Sequence, residues 1–585
     1  MEYALERLRV QCATLLTETG LVAPELIILT DPKPNIPADI AFPTFQAARS
    51  AGVNNPAEFA QKLAAAAMAL LPTKTTQANW LIGKVEAAGP FVNISVEPTR
   101  FAQAVITEVL QQQADYGRDE AGNGLNLIVD FSSPNIARKM HVGHLRSTVI
   151  GNSIRNILKF SGYKVTADNH LGDWGTQFGS LLAAKALWGW PPEIDTDPIE
   201  ALVQIYAKFH NAAEADPPLR DLARDWSRRL EEGDPEARAT WTWIVDITLK
   251  EFATTYERLG VTFDTTHGES FYEPMLQDVV KEALEKEVAR EEADGAISVS
   301  FDDKLPSYLL RRRDGATLYQ TRDIATCIYR WKEYQPDRNI YVVGQEQKLH
   351  FQQVYETVRR MGYSEIADRS VHISFGPVTD AAGQRFSMRK GTAIFLDEVL
   401  DEALTRAKAV IDEKTSEGKT ELSGDEKEMV SQMVGVGAVI YNDLYQDPGR
   451  GIRFDWDKML AFDGNSAPYI QYTYARCRSI LRKAGQAPTE ADLTLLITSE
   501  EQAVVKQLAR FNQTVRRAGQ EFLPALVAEW TYTLAREFAR FYHERPVLEA
   551  PTPELVLARL SLVEAVSTGL RNGLQLLGIK APERM

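Results

Sequence analysis

His141 and His144 flank Val142 and Gly143 in the segment VDFSSPNIARKMHVGHLRST, Val129–Thr148. Upstream, LNLIVDF (125–131) has the continuous apolar run of a strand buried on both faces. Downstream, the pattern from about Gly143 to Ser161 is helical. A helix that begins here presents unpaired N–H groups and a positive dipole end, which favour phosphate. Two imidazoles at that point can donate to phosphoryl oxygens as charge develops. Gly143 has no side chain, so a flat base can approach the backbone. The alternative is that the two histidines only satisfy a helix terminus. Farther along, Tyr319 and Asp323 are four apart in LYQTRDIA and share one face of a helix. Beside Arg322, the Asp323 carboxylate either makes a structural ion pair or faces a cationic ligand.

The elements that must position these residues alternate. GYKVTAD (162–168) and NIYVVG (339–344) read as further strands, and a helix follows at about 348–361. Strands alternating with helices predict an α/β fold with a doubly wound parallel sheet, in which ligands sit beyond the carboxyl ends of the strands. The HVGH segment falls at such an end. Before it, a helix at about 2–18, another near 57–71 and the apolar runs NWLIGKVE and FVNISVE predict a small α+β module. The polar stretches Gln111–Gly124, Glu413–Glu426 and Ala484–Thr494 read as boundaries. The C-terminal region is all helix by periodicity.

Composition excludes other classes. The chain has 585 residues, 44% apolar and 25% charged, which is ordinary for a globular protein and rules out a disordered chain or a coiled-coil rod. The apolar stretch Leu63–Leu71 is far too short to span a membrane. MEYALERLRV lacks the apolar core of a signal peptide, so a cytoplasmic location is expected. Cys12, Cys327 and Cys477 are too widely spaced for a disulfide framework or a zinc knuckle and read as ordinary buried thiols. The net charge of −15 is uneven. Residues 465–585 carry 15 Lys/Arg and 12 Asp/Glu, or +3, which leaves −18 for the rest. A slightly basic tail on an acidic body is compatible with a polyanion meeting the tail.

The string SSPNIARKMHVGHLRSTVIGNSI closely resembles the arginyl-tRNA synthetases, a family of class I aminoacyl-tRNA synthetases. So do LGDWGTQFG (171–179), LYQTRDIAT (318–326), GNSAPYIQYTYAR (464–476) and LGIKAPERM (577–585). The resemblance runs from the N-terminal module to the last residue. It implies a Rossmann-type catalytic domain at 122–400 with an insertion at about 185–260. An N-terminal module (1–115) that meets the tRNA elbow precedes it. A helical connective region (401–464) and an all-α anticodon-binding domain (465–585) follow. No editing domain is expected.

The resemblance also implies site residues. His141, Gly143 and His144 would stabilise the transferring phosphoryl group. GQRFSMRKG, Gly383–Gly391, matches the second class I signature, the KMSKS-type loop, but with Arg385 and Met388 in place of its two lysines. Arg385, Ser387 and Lys390 belong to that loop. Lys390 in the loop, or Arg138 or Lys139 just before HVGH, could supply the charge that Met388 cannot. ATP would meet Pro134, Asn135, Gly344, Gly376, Val378 and Arg385 besides the two histidines. Arginine, whose guanidinium offers five donors and never deprotonates, would meet Asp323, Tyr319, Asp130, Ser132, Asn135, Gln347 and Glu269. Phe91 and Asn93, in AAGPFVNISV, would meet the tRNA elbow. Tyr469, Tyr472, Tyr474, Arg476, Arg478 and Arg516 would face the anticodon, although for any one tyrosine packing in the helical core is the stronger reading.

The expected partners are tRNA(Arg), L-arginine and ATP with Mg²⁺ as its substrate complex. No tightly bound metal or organic cofactor and no membrane are expected, and the chain is expected to act as a monomer. The resemblance further implies that tRNA must be bound before arginine is activated. Two rivals remain at this point. A glutaminyl or cysteinyl enzyme of the same fold would have no need of Asp130 and Asp323. A catalytically inactive paralogue would bind tRNA without activating an amino acid.

Overall fold

The computed structural model describes residues 3–33, 36–302, 304–379, 383, 395–416, 422–485 and 491–585. Leu5, Leu8, Cys12, Leu15 and Leu16 give the first helix, Ala4–Glu18, one buried stripe. Proline at the first position and a side-chain cap from Asn55 or Glu97 start the helices Pro56–Lys74 and Pro98–Gln112. These helices pack on an antiparallel sheet of β1 (Ile40–Pro43), β2 (Ile82–Ala88) and β3 (Phe91–Val96), in the order β1-β3-β2. The runs NWLIGKVE and FVNISVE are β2 and β3. The four-residue β1 is too short for its alternation to stand out in sequence.

Beyond it lies a parallel sheet of β4 (Asn126–Asp130), β5 (Lys164–Asp168), β9 (Arg338–Gly344) and β10 (Ser370–Phe375), in the order β10-β9-β4-β5. The chain steps one way from β4 to β5 and the other way from β9 to β10. The crevice at this reversal opens beyond the carboxyl ends of β4 and β9. Between β5 and β9, helices Thr176–Trp188, Pro198–Ala215, Pro218–Glu231 and Pro235–Leu259 are followed by a small antiparallel sheet. That sheet comprises β6 (Ala289–Glu291), β7 (Ile297–Val299) and β8 (Tyr308–Arg311). Its three- and four-residue strands carry too few alternations to be read in advance. After β10, β11 (Val378–Thr379) pairs in parallel with β12 (Ile452–Arg453). Helices Leu396–Ser416 and Gly424–Leu444 lie between them, and the C-terminal region is helical.

The polar stretch Gln111–Gly124 is not a loose tether. Tyr116 is fully buried against Phe511, and its hydroxyl donates to the Leu508 carbonyl at 2.9 Å. Gly117, at φ +94°, lies where a Cβ would come within 2.2 Å of the Phe511 ring. One aromatic side chain therefore fastens the N-terminal module to the C-terminal helices.

The helix after β4, Val142–Phe160, is buried on nearly every side. Gly151 lets it close on the sheet, since a Cβ there would strike Phe131 at 2.2 Å. Ser153 donates to the Leu576 carbonyl at 3.0 Å on its opposite side. Arg146, with no exposed surface, grips Asp443 through Nε and Nη2 at 3.1 Å. Its Nη1 donates to the carbonyls of Gly376 (2.7 Å) and Arg450 (2.9 Å). Asp443→Asn would leave that guanidinium charged and unpaired. It is expected to lower the unfolding free energy by about 3–5 kcal/mol, read from denaturant midpoints. An unchanged midpoint would show that the pair does not hold these elements.

Candidate active site

The loop from β4 to the next helix is held in a shape that L residues rarely adopt. Ser132, Ser133 and Ala137 have φ of +74°, +50° and +60°. Strain of this kind costs about 1–3 kcal/mol per residue and collects where a site needs a fixed shape. The loop is pinned by Ile136 N–H to the Gly172 carbonyl and Gly172 N–H to the Pro134 carbonyl, both at 3.1 Å.

His141 caps the helix. Its Nδ1 accepts the Gly143 N–H at 3.0 Å, and His144 Nδ1 accepts the His141 N–H at 3.1 Å. Because Nδ1 accepts in both rings, each neutral imidazole carries its proton on Nε2. The rings stack with centroids 4.0 Å apart. Burial pushes both pKa values down. Arg138 adds to this at His141, and His141 and then Arg138 add to it at His144, which falls to about 3. The site thus holds two neutral N–H donors. Gly143 has a different role from the one expected: a Cβ there would lie 2.7 Å from His141 Cε1, so glycine makes room for the imidazole.

The two cations before HVGH are not equivalent. Lys139 is tied to Asp197 at 3.2 Å and Glu200 at 3.7 Å. Arg138 lies 5.9 Å from the Tyr206 ring and makes no ion pair among the described residues. Arg385, Ser387, Met388 and Lys390 fall outside the described residues.

The two anionic candidates separate as well. Asp130 does not face a ligand. It ends β4 beside Asp168 at the end of β5, and both carboxylates receive Arg330 Nη2, at 2.7 and 2.6 Å. Ser133 donates to the other oxygen of Asp130. Burial opposes the charge on Asp168, but Arg330 and the Thr265 hydroxyl outweigh it and hold the carboxyl below its usual range. His170 completes a group with metal-ligand spacing, yet a guanidinium already sits between its two carboxylates. Two carboxylates at the ends of neighbouring strands need a buried cation; the missed signal was Asp168 at the end of the expected strand 162–168. Asp323, in contrast, keeps one oxygen open among the described residues, and Tyr319 one turn earlier is 52% exposed.

Ser132 is likewise committed elsewhere. Its Oγ lies 2.8 Å from the Tyr256 hydroxyl and accepts from Thr148 Oγ1 at 2.8 Å. Gly376 uses its N–H on the Pro448 carbonyl and its carbonyl on Arg146, so neither group is open to adenine. A Cβ there would lie 2.7 Å from the Arg450 backbone. The Val378 side chain is buried where β11 pairs with β12. The remaining candidates form a chain of contacts around the crevice. Pro134 is buried at its rim, and the exposed Asn135 lies over Gly172, where a Cβ would strike its Oδ1 at 2.0 Å. Glu269 N–H donates to Leu171, the neighbour of Gly172. Burial pushes the Glu269 carboxyl up and Arg322, at 3.7 Å, pulls it back. Gly344 ends β9, and the exposed Gln347 stands in the turn just after it.

The nucleic-acid candidates divide in the same way. Asn93 is buried between β1 and β2, while Phe91 packs edge-on against the exposed Phe45 with Lys33 Nζ 5.7 Å away. Tyr474 is buried and donates to Glu583, which also takes Arg478 at 2.9 Å. Arg516 binds Glu6 at 2.7 Å and also Asp119, so it joins modules. Tyr469, Tyr472 and Arg476 remain on the surface side of the helix Ala467–Ala484. There Tyr469 meets Tyr532, and Arg476 stacks on Tyr472 and Tyr542. Tyr532 and Tyr542 were missed because they belong to another helix, Ala525–Glu544.

A family model for the class I tRNA synthetase (R) catalytic domain matches residues 105–456, and one for the DALR anticodon-binding domain matches 470–585. The arginine–tRNA ligase of Chloroflexus aggregans is 48% identical over 588 aligned residues, covering all of both chains. The chain belongs to the arginyl-tRNA synthetase family. Its fold agrees: the Thermus thermophilus arginyl-tRNA synthetase superimposes with a TM-score of 0.80 at 26% identity, covering 99% of each chain. The Plasmodium falciparum arginyl-tRNA synthetase shares the fold with a TM-score of 0.79 at 22% identity, covering 98% of this chain and 99% of its own. Among the described residues, no helix is long and apolar enough to cross a membrane.

Two outcomes follow from this geometry. Asp130→Asn is expected to lower stability by about 1.5–3 kcal/mol, the range for a hydrogen bond to a charged group. Asp323→Asn is expected to lower it by less than about 1 kcal/mol, as for a partly exposed pair. Equal losses in urea titrations would erase the distinction between the two carboxylates. The second concerns pH. Unfolded His144 binds a proton near 6.5, whereas the folded residue refuses it until about 3. Stability therefore falls as pH drops from 6.5 toward 3, and His144 accounts for about 2 kcal/mol of that fall by pH 5. His144→Asn should shrink the difference between unfolding free energies at pH 7 and pH 5 by that amount. No change would mean that His144 titrates normally.

Proposed function

We propose that the protein is an ATP-dependent arginine–tRNA ligase that forms arginyl-adenylate and then esterifies the 3′-terminal adenosine of tRNA(Arg). The observation that carries this reading is an open carboxylate oxygen on Asp323, one helical turn from an exposed Tyr319, at the sheet end that also holds the HVGH helix. Whole-length similarity to arginine–tRNA ligases supports it.

In the first step an oxygen of the arginine carboxylate attacks the α-phosphorus of magnesium–ATP, and pyrophosphate leaves with the bridging oxygen. Asp323 and Tyr319 hold the guanidinium, while Asn135, Glu269 and Gln347 hold the rest of the amino acid. The Nε2–H groups of His141 and His144 donate to oxygens whose charge grows as the phosphorus becomes five-coordinate. Pro134, Asn135 and Gly344 border the nucleotide. Arg138, which meets no carboxylate among the described residues, supplies positive charge beside the histidines; Lys139 would first have to leave Asp197 and Glu200. In the second step the 2′-hydroxyl of the terminal adenosine attacks the activated carbonyl and AMP leaves. Asp323 also rejects neutral analogues such as citrulline, which leave its half-buried carboxylate without a cationic partner. Rejection on that basis reaches roughly 10⁴–10⁵.

The division into a tRNA-elbow module (1–115), a catalytic domain (122–400), a connective region (401–464) and an anticodon domain (465–585) belongs to this proposal. So do cytoplasmic action as a monomer and a requirement for tRNA in the first step. The face formed by Tyr469, Tyr472, Arg476, Tyr532 and Tyr542 would meet anticodon bases by stacking, and Phe91 the elbow.

The test is ATP–pyrophosphate exchange with each amino acid, with and without tRNA. Exchange is expected with arginine alone among the amino acids and only when tRNA is present. His144→Ala should cut it by roughly 10²–10³. Exchange without tRNA would remove the RNA requirement but keep the ligase. No exchange at all, from folded protein that still binds tRNA, would favour an inactive tRNA-binding paralogue.

A further inference from the structure

His350 lies on the helix Lys348–Arg360 and is 8% exposed. Its Nε2 is 2.5 Å from Asp323 Oδ2. The ring sits 4.9 Å from the Tyr319 ring and 5.3 Å from Phe351. Its other nitrogen, Nδ1, is buried without a hydrogen-bond partner among the described residues. A buried imidazole that served only packing would gain from satisfying both nitrogens or from being replaced by an apolar ring. Here the one polar bond that the ring makes points at Asp323.

Arg322, the neighbour of Asp323 in sequence, is turned toward Glu269 instead. Among the described residues Asp323 therefore has a single polar side-chain partner, and Oδ1 stays open.

We propose that His350 is a positioning residue for the substrate guanidinium, pinning the plane of the Asp323 carboxylate between Tyr319 and the helix Lys348–Arg360. The inference rests on the reading of Asp323 as the guanidinium acceptor. The terminal torsion of an aspartate is broad, with two shallow wells. A planar guanidinium forms two parallel hydrogen bonds only when the carboxylate plane matches its own. With Nε2–H on Oδ2 the plane is set before arginine arrives, and the substrate does not have to order the side chain on binding. His350 itself touches no substrate atom in this account; Tyr319 and Asp323 do.

The experiment is steady-state aminoacylation by the full chain with His350→Phe, which keeps a ring but loses the donor, and His350→Gln, which restores an N–H near the same place. His350→Phe should raise the KM for arginine roughly tenfold, in line with the cost of ordering a side chain on binding. The KM values for ATP and tRNA and the kcat should stay within about twofold. His350→Gln should recover most of the loss. In an Asp323→Asn background, His350→Phe should change the arginine KM by less than about twofold, because nothing is left to position.

An unchanged arginine KM in His350→Phe would overturn the proposal. So would equal losses in the Phe and Gln variants, a parallel rise in all three KM values, or additive effects in the double variant. Should His350→Phe fail to fold, His350→Leu, which also lacks the donor, takes its place in the cycle with Asp323→Asn, and additive effects there overturn the proposal. Asp323→Asn alone separates the two layers. If it leaves the arginine KM unchanged, the guanidinium reading of Asp323 fails. If it raises that KM while His350→Phe does not, only the role of His350 fails.

Discussion

Arg146 meets the Asp443 carboxylate and the carbonyls of Gly376, Pro448 and Arg450 away from water. A buried ion pair adds little net stability over a well-packed apolar substitute, because desolvation cancels much of its attraction. What it does add is register: a guanidinium with its donors assigned can settle in one place only. Arg146 is five residues after His141, so the same helix that presents the imidazoles is fixed against Gly424–Leu444. The carbonyl of Gly376 stands at the root of the segment leading to the basic loop, and it accepts from the same side chain. Pro448 and Arg450 belong to the turn before β12, whose pairing with β11 closes the clamp. The HVGH end of one helix, the loop root and the helical region thus share a single reference point.

A similar economy separates the carboxylates of the site. Asp130 and Asp323 are the same residue type, and both lie near the carboxyl ends of strands. Neighbouring strands bring Asp130 within reach of Asp168, and two buried carboxylates that close cannot both ionise without a cation between them. Arg330 is that cation, and it removes Asp130 from ligand chemistry. Asp323 stands on a helix face with no acidic neighbour in hydrogen-bond range among the described residues. The ring Nε2 of His350 occupies one of its oxygens and the other is left for an external donor. The environment, not the residue, decides which charge is structural.

Much of this architecture was legible in the sequence. Long periodic segments, such as Ala4–Glu18 and the C-terminal helices, were readable because burial on one face repeats over many turns. The runs 125–131 and 339–344 were readable because central parallel strands are apolar on both faces, and 162–168, the edge strand, because Val165 and Ala167 alternate with Lys164 and Thr166. Elements of two to four residues, such as β1, β6 and β11, were not, since too few positions exist for a period to show. The HVGH site was legible because strand, loop and helix occur in sequence order. Arg330, Asp168, Arg146 and His350 were not, because each acquires its meaning from a partner far along the chain. Gln111–Gly124 reads as a boundary, and its polar composition conceals how firmly Tyr116 holds it, in a pocket built by Phe511 and Leu508.

The helix terminus itself explains how neutral groups serve an anion there. A bare helix end offers its first N–H groups directly to phosphate. Here the His141 and Gly143 N–H groups are taken by imidazole Nδ1 atoms, so the helix end itself gives up two donors. Each bond, however, fixes the ring tautomer and leaves an Nε2–H facing outward, several ångströms beyond the backbone. The donor is moved, not lost, and reaches farther than a main-chain N–H could. Burial holds the rings neutral, so they carry no full charge that would favour the ground-state triphosphate over the transition state. In the proposed reaction the full positive charge would fall to Arg138, on the strained loop just before them, where no carboxylate among the described residues competes for it.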